Sequence, residues 1–139
     1  VSVEVMEHIH HHQMIFSEAR RILKKNGILL FSTPNILSLK SRIRFLFSGF
    51  FYAFKPLDHN VNDGLQHLSS LTVDQYINLG KNSGFSHYDF SIDKRQSTSR
   101  LYLFMVPFLW LYCKTKKIDY RIHNRYDFLT GRILFASFR

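Results

Sequence analysis

The chain has 139 residues, enough for one hydrophobic core and too few for two full domains. The 19 Lys and Arg against 10 Asp and Glu leave a net charge of +9, and aromatics are 16% of the chain, so the composition suits either an anionic partner (membrane surface, phosphorylated lipid or sugar, nucleic acid) or a solvated basic surface. One cysteine, Cys113, excludes an intrachain disulfide and a cysteine zinc cluster and points to a reducing, cytoplasmic setting.

Val1, Val3 and Val5 alternate with Ser2 and Glu4, the pattern of a short strand with one face on a core. Met14, Ile15, Ala19, Ile22 and Leu23 then recur at helical spacing, with Lys24 and Lys25 suited to the last turn and Asn26-Gly27 to a left-handed turn after it. Ile28 to Phe31 is a solid apolar run, as expected of a strand covered on both faces. Strand, helix and strand in so short a span predict a crossover in a parallel sheet. After Asn35 comes a basic segment in which Leu39, Ile43, Leu46, Phe47 and Phe50 form one stripe away from Lys40, Arg42 and Arg44. It reads equally as a lid or membrane-contacting helix over a site and as a helix packed on the sheet.

Asp58 to Leu71 is polar and reads as a loop. Thr72 and Gln75 fit a capping box, Val73, Tyr76, Ile77 and Leu79 supply an inner face, and Ser83-Gly84 ends that helix. Phe85 to Ile92 alternates as a half-exposed strand, and Asp93 to Arg100 reads as a polar linker. Leu101 to Cys113 carries no charge but is too short to span a bilayer, which takes ~20 apolar residues, and Pro107 is expected to kink it. It fits a membrane interface, with Trp110, Tyr112 and the lysines behind it, or a buried or oligomer-contact helix. Lys114 to Arg125 is polar, Tyr126 to Gly131 turns the chain, and Ile133 to Phe138 is a final strand. The row His10, His11 and His12 cannot face one metal together, and no repeat or nucleic-acid reader motif is visible, which argues against nucleic acid as partner.

The succession E-V-M-E-H, E-A-R-R-I-L-K-K-N-G, I-L-L-F-S-T-P-N resembles the second half of a class I S-adenosylmethionine-dependent methyltransferase, of the ubiquinone-pathway or sugar O-methyltransferase type. K-K-N-G stands where that family usually has K-P-G-G. The later order G-x-x-H-L-x-x-L-T-x-x-x-Y followed by G-F resembles the family's segment after its fifth strand, where a helix leads into the sixth. The resemblance implies an α/β fold: the carboxyl-terminal half of a Rossmann-like sheet, parallel strands with an antiparallel final strand and helices on both faces. The expected domain is residues 1–139, a single partial unit with apolar, basic insertions at 36–57 and 100–118. The chain holds no G-x-G turn, begins with Val directly inside a strand, and so reads as a fragment lacking the cofactor-binding first half.

In such sheets ligands sit beyond the carboxyl ends of the strands, here Met6 to Ile9 and Ser32 to Asn35. By position, Glu4, Met6 and Glu7 are candidates for S-adenosylmethionine, and Thr33 and Asn35 for the acceptor. His67 and His8 are the candidate bases for a hydroxyl acceptor, each with the alternative of an ordinary surface histidine. E-x-x-E-H is associated in the ubiquinone-pathway enzymes with a divalent metal such as Mg, implying Glu4, Glu7 and His8 as ligands; the alternative is that Glu7 and His8 only cap the next helix. Two functions follow. One is methyl transfer to a hydroxyl of a small molecule, sugar or lipid-linked acceptor. The other is a non-catalytic methyltransferase-like remnant that binds a membrane or partner chain, motivated by segments 43–54 and 101–113. A cytoplasmic protein, peripheral at the inner membrane face or self-associating, fits both.

Overall fold

The computed structural model describes every residue except Asn62 and Ser70. Its centre is a four-stranded sheet of order β1-β2-β4-β3. Strand β1 (Ser2–Val3) runs parallel to β2 (Leu29–Pro34), and helix α1 (His12–Ile22) makes the crossover between them. The last strand, β4 (Ile133–Phe138), is antiparallel both to β2 and to β3 (Tyr88–Ile92). The opening strand and the T-P-N strand are therefore neighbours with a common direction, and the closing strand inserts between β2 and β3 in the opposite sense.

Cross-strand register sorts the side chains. Phe31 lies opposite Ala136, and Ala136 opposite Phe90, so these share a face with Leu29, Leu134 and Phe138. All six are buried. Helix α1 and helix α3 (Val73–Asn82) cover this face, and Phe16 of α1 is the hub: its ring lies 5.1 Å from Phe138, 5.8 Å from Phe31, 6.2 Å from Phe85 and 6.4 Å from Tyr76. Each such aromatic contributes on the order of 2–3 kcal/mol by burial alone.

Several expectations fail on this side of the molecule. Val1, Val3 and Val5 are exposed, because only two residues of β1 pair and Glu4, at φ 49°, breaks the strand. Of the expected stripe, Ala19 of α1 and Leu23 just after it pack on the core, but Met14, Ile15 and Ile22 are exposed, and His12 and Phe16 take their place on the inner face. Both stripes have helical spacing, so periodicity alone could not choose between them. In the run Ile28–Phe31, Ile28 and Leu30 are exposed; β2 is covered on one face here, not two. At the end of α1, Lys24 and Lys25 lie beyond the helix, and Gly27 is not left-handed; a Cβ there would sit 2.9 Å from Leu23 Cδ2, so space rather than backbone freedom explains the glycine.

Beyond β2, helix α2 (Leu39–Ser48) is capped by the Ser38 hydroxyl, which accepts from the Ser41 amide, and ends on Gly49 at φ 72°. Its first turn is buried through Leu39 and Ser41, whereas Leu46 and Phe47 at the far end are exposed. No helix or strand forms over the described part of 58–71. The Thr72–Gln75 capping box is formed, and α3 closes at Ser83-Gly84. Gly80 of α3 is a close-approach glycine: a Cβ would lie 2.5 Å from the Phe138 ring.

The stretch read as a polar linker contains helix α4 (Ser97–Leu101), anchored by the buried Ser99, whose hydroxyl accepts from the Lys40 amide at 3.2 Å. A 3₁₀ turn (Tyr102–Met105) leads into α5 (Val106–Thr115), α6 (Tyr120–His123) and α7 (Tyr126–Thr130). Pro107 does not kink α5; it stands in the first turn, where no amide donor is needed.

Candidate functional site

The two parallel strands deliver their ends to one place. Glu4, in the left-handed conformation, donates its amide to Ser32 Oγ of β2 at 3.1 Å, which fixes the exit of β1. The chain then turns through a 3₁₀ segment, Met6–His8. A loop folds over this turn. The Leu68 and Ser69 amides both donate to the Glu7 carbonyl, at 2.8 and 3.0 Å, and His8 Nδ1 donates to the Gln66 carbonyl at 2.9 Å. Since a carbonyl only accepts, the neutral form of the His8 ring carries its proton on Nδ1 and leaves the lone pair on Nε2.

This brings His67 edge-on to His8, with ring centroids 4.8 Å apart, and against Phe54 at 5.3 Å. One ligand atom each from Glu7, His8 and His67 lies within 4.8 Å of the others. Glu7 is fully buried, and its Oε2, like His67 Nδ1, has no hydrogen-bond partner. Buried polar atoms are nearly always satisfied, so two orphans within one cluster single it out as a candidate site.

The cluster opens into a cleft of about 310 Å³. Glu4, Glu7, His8 and His67 form one side, and Asn35, Ile36, Ser41, Tyr52, Ala53 and Arg132 contribute to the remainder. Through Ala53 and His67 the cleft continues into a trough of about 460 Å³ with apolar walls from Pro56, Leu57, Val61 and Leu65. The Lys40 ammonium, 3.5 Å from the Tyr52 ring centroid, lowers the Tyr52 phenol pKa through a hydrogen bond and its charge. Arg132 stands on the rim, held by Asp93 at 3.0 Å.

The remaining predicted residues are placed differently. Met6 is in the hydrophobic core, and its carbonyl accepts from His12 Nε2 at 2.9 Å. Burial lowers the His12 pKa. Thr33 points into the core face beside Tyr76, whose phenol burial raises well above its usual value. Asn35 is on the cleft wall, but its side chain is spent: Nδ2 donates to the Phe128 and Gly131 carbonyls at 2.7 and 3.0 Å, and Oδ1 accepts from the Leu37 amide at 3.0 Å. Glu4 reaches the cleft but is exposed and lies outside the Glu7–His8–His67 cluster. Ser41, Tyr52 and Arg132 were not foreseen. The first two come from the segment read as a lid, and no sequence signal marks Arg132.

No curated protein matches this sequence. Among solved structures, the chain is similar to a SAM-dependent methyltransferase from Archaeoglobus fulgidus, at a TM-score of 0.55 and 13% identity over 99% of this chain. The chain spans 57% of that protein's length. At that identity the likeness concerns the fold. A family described as "Methyltransferase domain" matches residues 1–88, well over half of the chain and all of the segment that builds the Glu7–His8–His67 cluster. The chain belongs to this methyltransferase-domain family.

Proposed function

We propose that this chain provides the acceptor side of an S-adenosylmethionine-dependent methyltransferase, acting on a hydroxyl of a small molecule, sugar or lipid-linked acceptor. S-adenosylmethionine is the usual methyl donor of the family. The observation that carries the reading is the Glu7–His8–His67 cluster at the carboxyl ends of two adjacent parallel strands, where open α/β sheets bind their ligands. Methyl transfer is an in-line displacement: the acceptor oxygen bonds the methyl carbon, the carbon–sulfur bond breaks, the thioether leaves, and the hydroxyl proton passes to a base. Most of the acceleration comes from holding the two partners close and aligned. His8 Nε2 is the base, because its proton is committed to Gln66 on the other nitrogen. His67 packs against it and limits water. The apolar trough beyond His67 suits an acceptor with a hydrocarbon tail.

As an alternative to proton transfer by His8, the cluster also fits a divalent cation, which would take the same Nε2 lone pair. One carboxylate oxygen and two imidazole nitrogens form a borderline set, better matched to zinc or manganese than to the all-oxygen shell of magnesium. Glu7, His8 and His67 would hold it, with Glu4 outside, and the Gln66 carbonyl would orient His8. Such an ion would lower the pKa of an acceptor hydroxyl beside it.

The test is transfer of a radiolabelled methyl group from S-adenosylmethionine to a panel of sugars, phenols and polyprenylated phenols. Transfer that falls at least 100-fold in His8→Ala supports the assignment, given the usual worth of a general base. Undiminished transfer in His8→Ala removes the base; no transfer to any panel member, in a protein that calorimetry shows to bind S-adenosylmethionine, removes the hydroxyl reading.

A further inference from the structure

The region 94–118 contains six cations (Lys94, Arg95, Arg100, Lys114, Lys116, Lys117) and no acidic residue. The region 36–57 adds Lys40, Arg42, Arg44 and Lys55, again with no acid. These acid-free stretches meet in space. Helix α2 packs on α4 and on the 3₁₀ turn after it, and Ser99 Oγ receives the Lys40 amide.

Both stretches carry bare apolar side chains. Leu101 is 71% exposed, Phe104 67% and Phe108 69%, and Cys113 is the one buried residue of α5. Leu46 and Phe47 of α2 are more exposed still. A helix that carries no charge before Lys114 and buries only Cys113 gains little from its own chain, so this surface is adapted to an apolar partner. At its end Trp110 and Tyr112 stand beside Lys114, whose ammonium lies 4.9 Å over the Trp110 ring. Aromatic rings and lysines at the edge of an apolar patch match the layering of a lipid headgroup region.

We propose that α5, the 3₁₀ turn before it and the far end of α2 dock on an anionic lipid bilayer. Charge selects this occupant. A second copy of the chain, meeting this surface with its own, would bring the exposed Lys114, Lys116 and Lys117 of one copy against those of the other. Nucleic acid would leave Leu101, Leu111 and Leu46 without partners. An anionic bilayer satisfies both the hydrocarbon and the lysines. Among the described residues no helix is long and apolar enough to cross a membrane, so the element lies on it rather than through it. The docked surface would also bear on the cleft, since α2 and the residues after it supply Ser41, Tyr52 and Ala53 to the cleft wall. The inference does not depend on the methyl-transfer reading.

Trp110 is the chain's one tryptophan and so a built-in reporter. Its fluorescence is followed as vesicles are added, in parallel with vesicle flotation. Vesicles of phosphatidylcholine with about one-third phosphatidylglycerol should carry the protein to the top of the gradient and shift Trp110 emission to the blue, and pure phosphatidylcholine should bind at least tenfold more weakly. A Lys114→Gln, Lys116→Gln, Lys117→Gln variant, altered only at exposed side chains, should lose roughly 100-fold in affinity, at about fivefold per cation. Phe108→Ser should reduce both flotation and blue shift, with an unchanged melting temperature showing that the fold is intact. Absence of flotation, equal binding to neutral vesicles, or a blue shift that follows protein concentration without lipid, as in self-association, would overturn the proposal.

Discussion

Asn35 allows a positional expectation to be weighed against a structural role. Its position at the end of the T-P-N strand suggests contact with an acceptor, but all three side-chain hydrogen bonds are internal and buried. It ties the end of β2 to the Phe128 carbonyl in α7 and to Gly131, just before β4. Truncation to Ala removes three bonds, each worth about 1 kcal/mol net, and leaves the buried Leu37 amide and two carbonyls to find water. The expected loss is about 3 kcal/mol, a large part of the 5–15 kcal/mol typical of a domain. For a chain of this length that lowers the melting temperature by roughly 12 °C. Asn35→Asp keeps the acceptor for Leu37 but sets a second acceptor against two carbonyls, so it should destabilise at least as much. Thermal and urea unfolding of both variants measure this. A loss below about 0.5 kcal/mol for Asn35→Ala, with a raised KM for acceptor, would refute the latch and restore the substrate role.

Two further outcomes follow from the core. Gly80→Ala should destabilise by about 1 kcal/mol net, since the new methyl meets the Phe138 ring and overpacking of about 1–3 kcal/mol exceeds the roughly 1 kcal/mol gained in helix propensity. A stabilised variant in urea melts contradicts this close approach. His12 has a folded pKa held below its ordinary 6.5 by burial, with the charge of His10 acting in the same direction. The unfolded chain therefore takes up a proton at a higher pH than the folded one, and the stability present above pH 6.5 is lost as pH falls below it. Melts across that range should show this slope in the wild type and a flatter one in His12→Gln; identical slopes would show that His12 is not responsible.

The order of elements was legible because each carries a local signal: the Thr72–Gln75 box, Gly84 after α3, and the apolar run that became β2. What stayed hidden depends on partners distant in sequence. Phe16 did not stand out from Met14 and Ile15, because only the arrival of Phe138 and Tyr76 selects one helix face over the other. Pro107 was read as a kink because nothing local shows that α5 begins there. At the site, Glu7, His8 and His67 were each visible by residue type, and the docking of residues 66–69 over the 3₁₀ turn brings them together. Thr33 and Asn35 flank the strand end as expected, yet one faces the core and the other is committed to backbone carbonyls. Strand position predicts proximity to a ligand, whereas free hydrogen-bonding capacity depends on the remainder of the fold.

Glu7 gives the sharpest separation of ligand site from structural residue. Its Oε2 and His67 Nδ1 are buried and unpartnered, and each such group costs about 1–3 kcal/mol. If the cluster exists to bind, the free protein carries that cost and should gain from its removal. Glu7→Met preserves approximate volume while deleting the unsatisfied oxygens, so it should stabilise the free protein by about 1–3 kcal/mol, the usual exchange of function for stability. Zinc or manganese at about 100 times its dissociation constant should stabilise the wild type by about 2.7 kcal/mol and the variant by none. Melting temperatures with metal and with chelator read both effects without any assay of activity. If Glu7→Met destabilises by more than about 1 kcal/mol, the carboxyl is already satisfied within the fold and the cluster is structural. If the variant is stabilised but no metal shifts the wild type, the orphaned atoms remain a ligand site, and the proton-transfer reading of His8 stands without a cation.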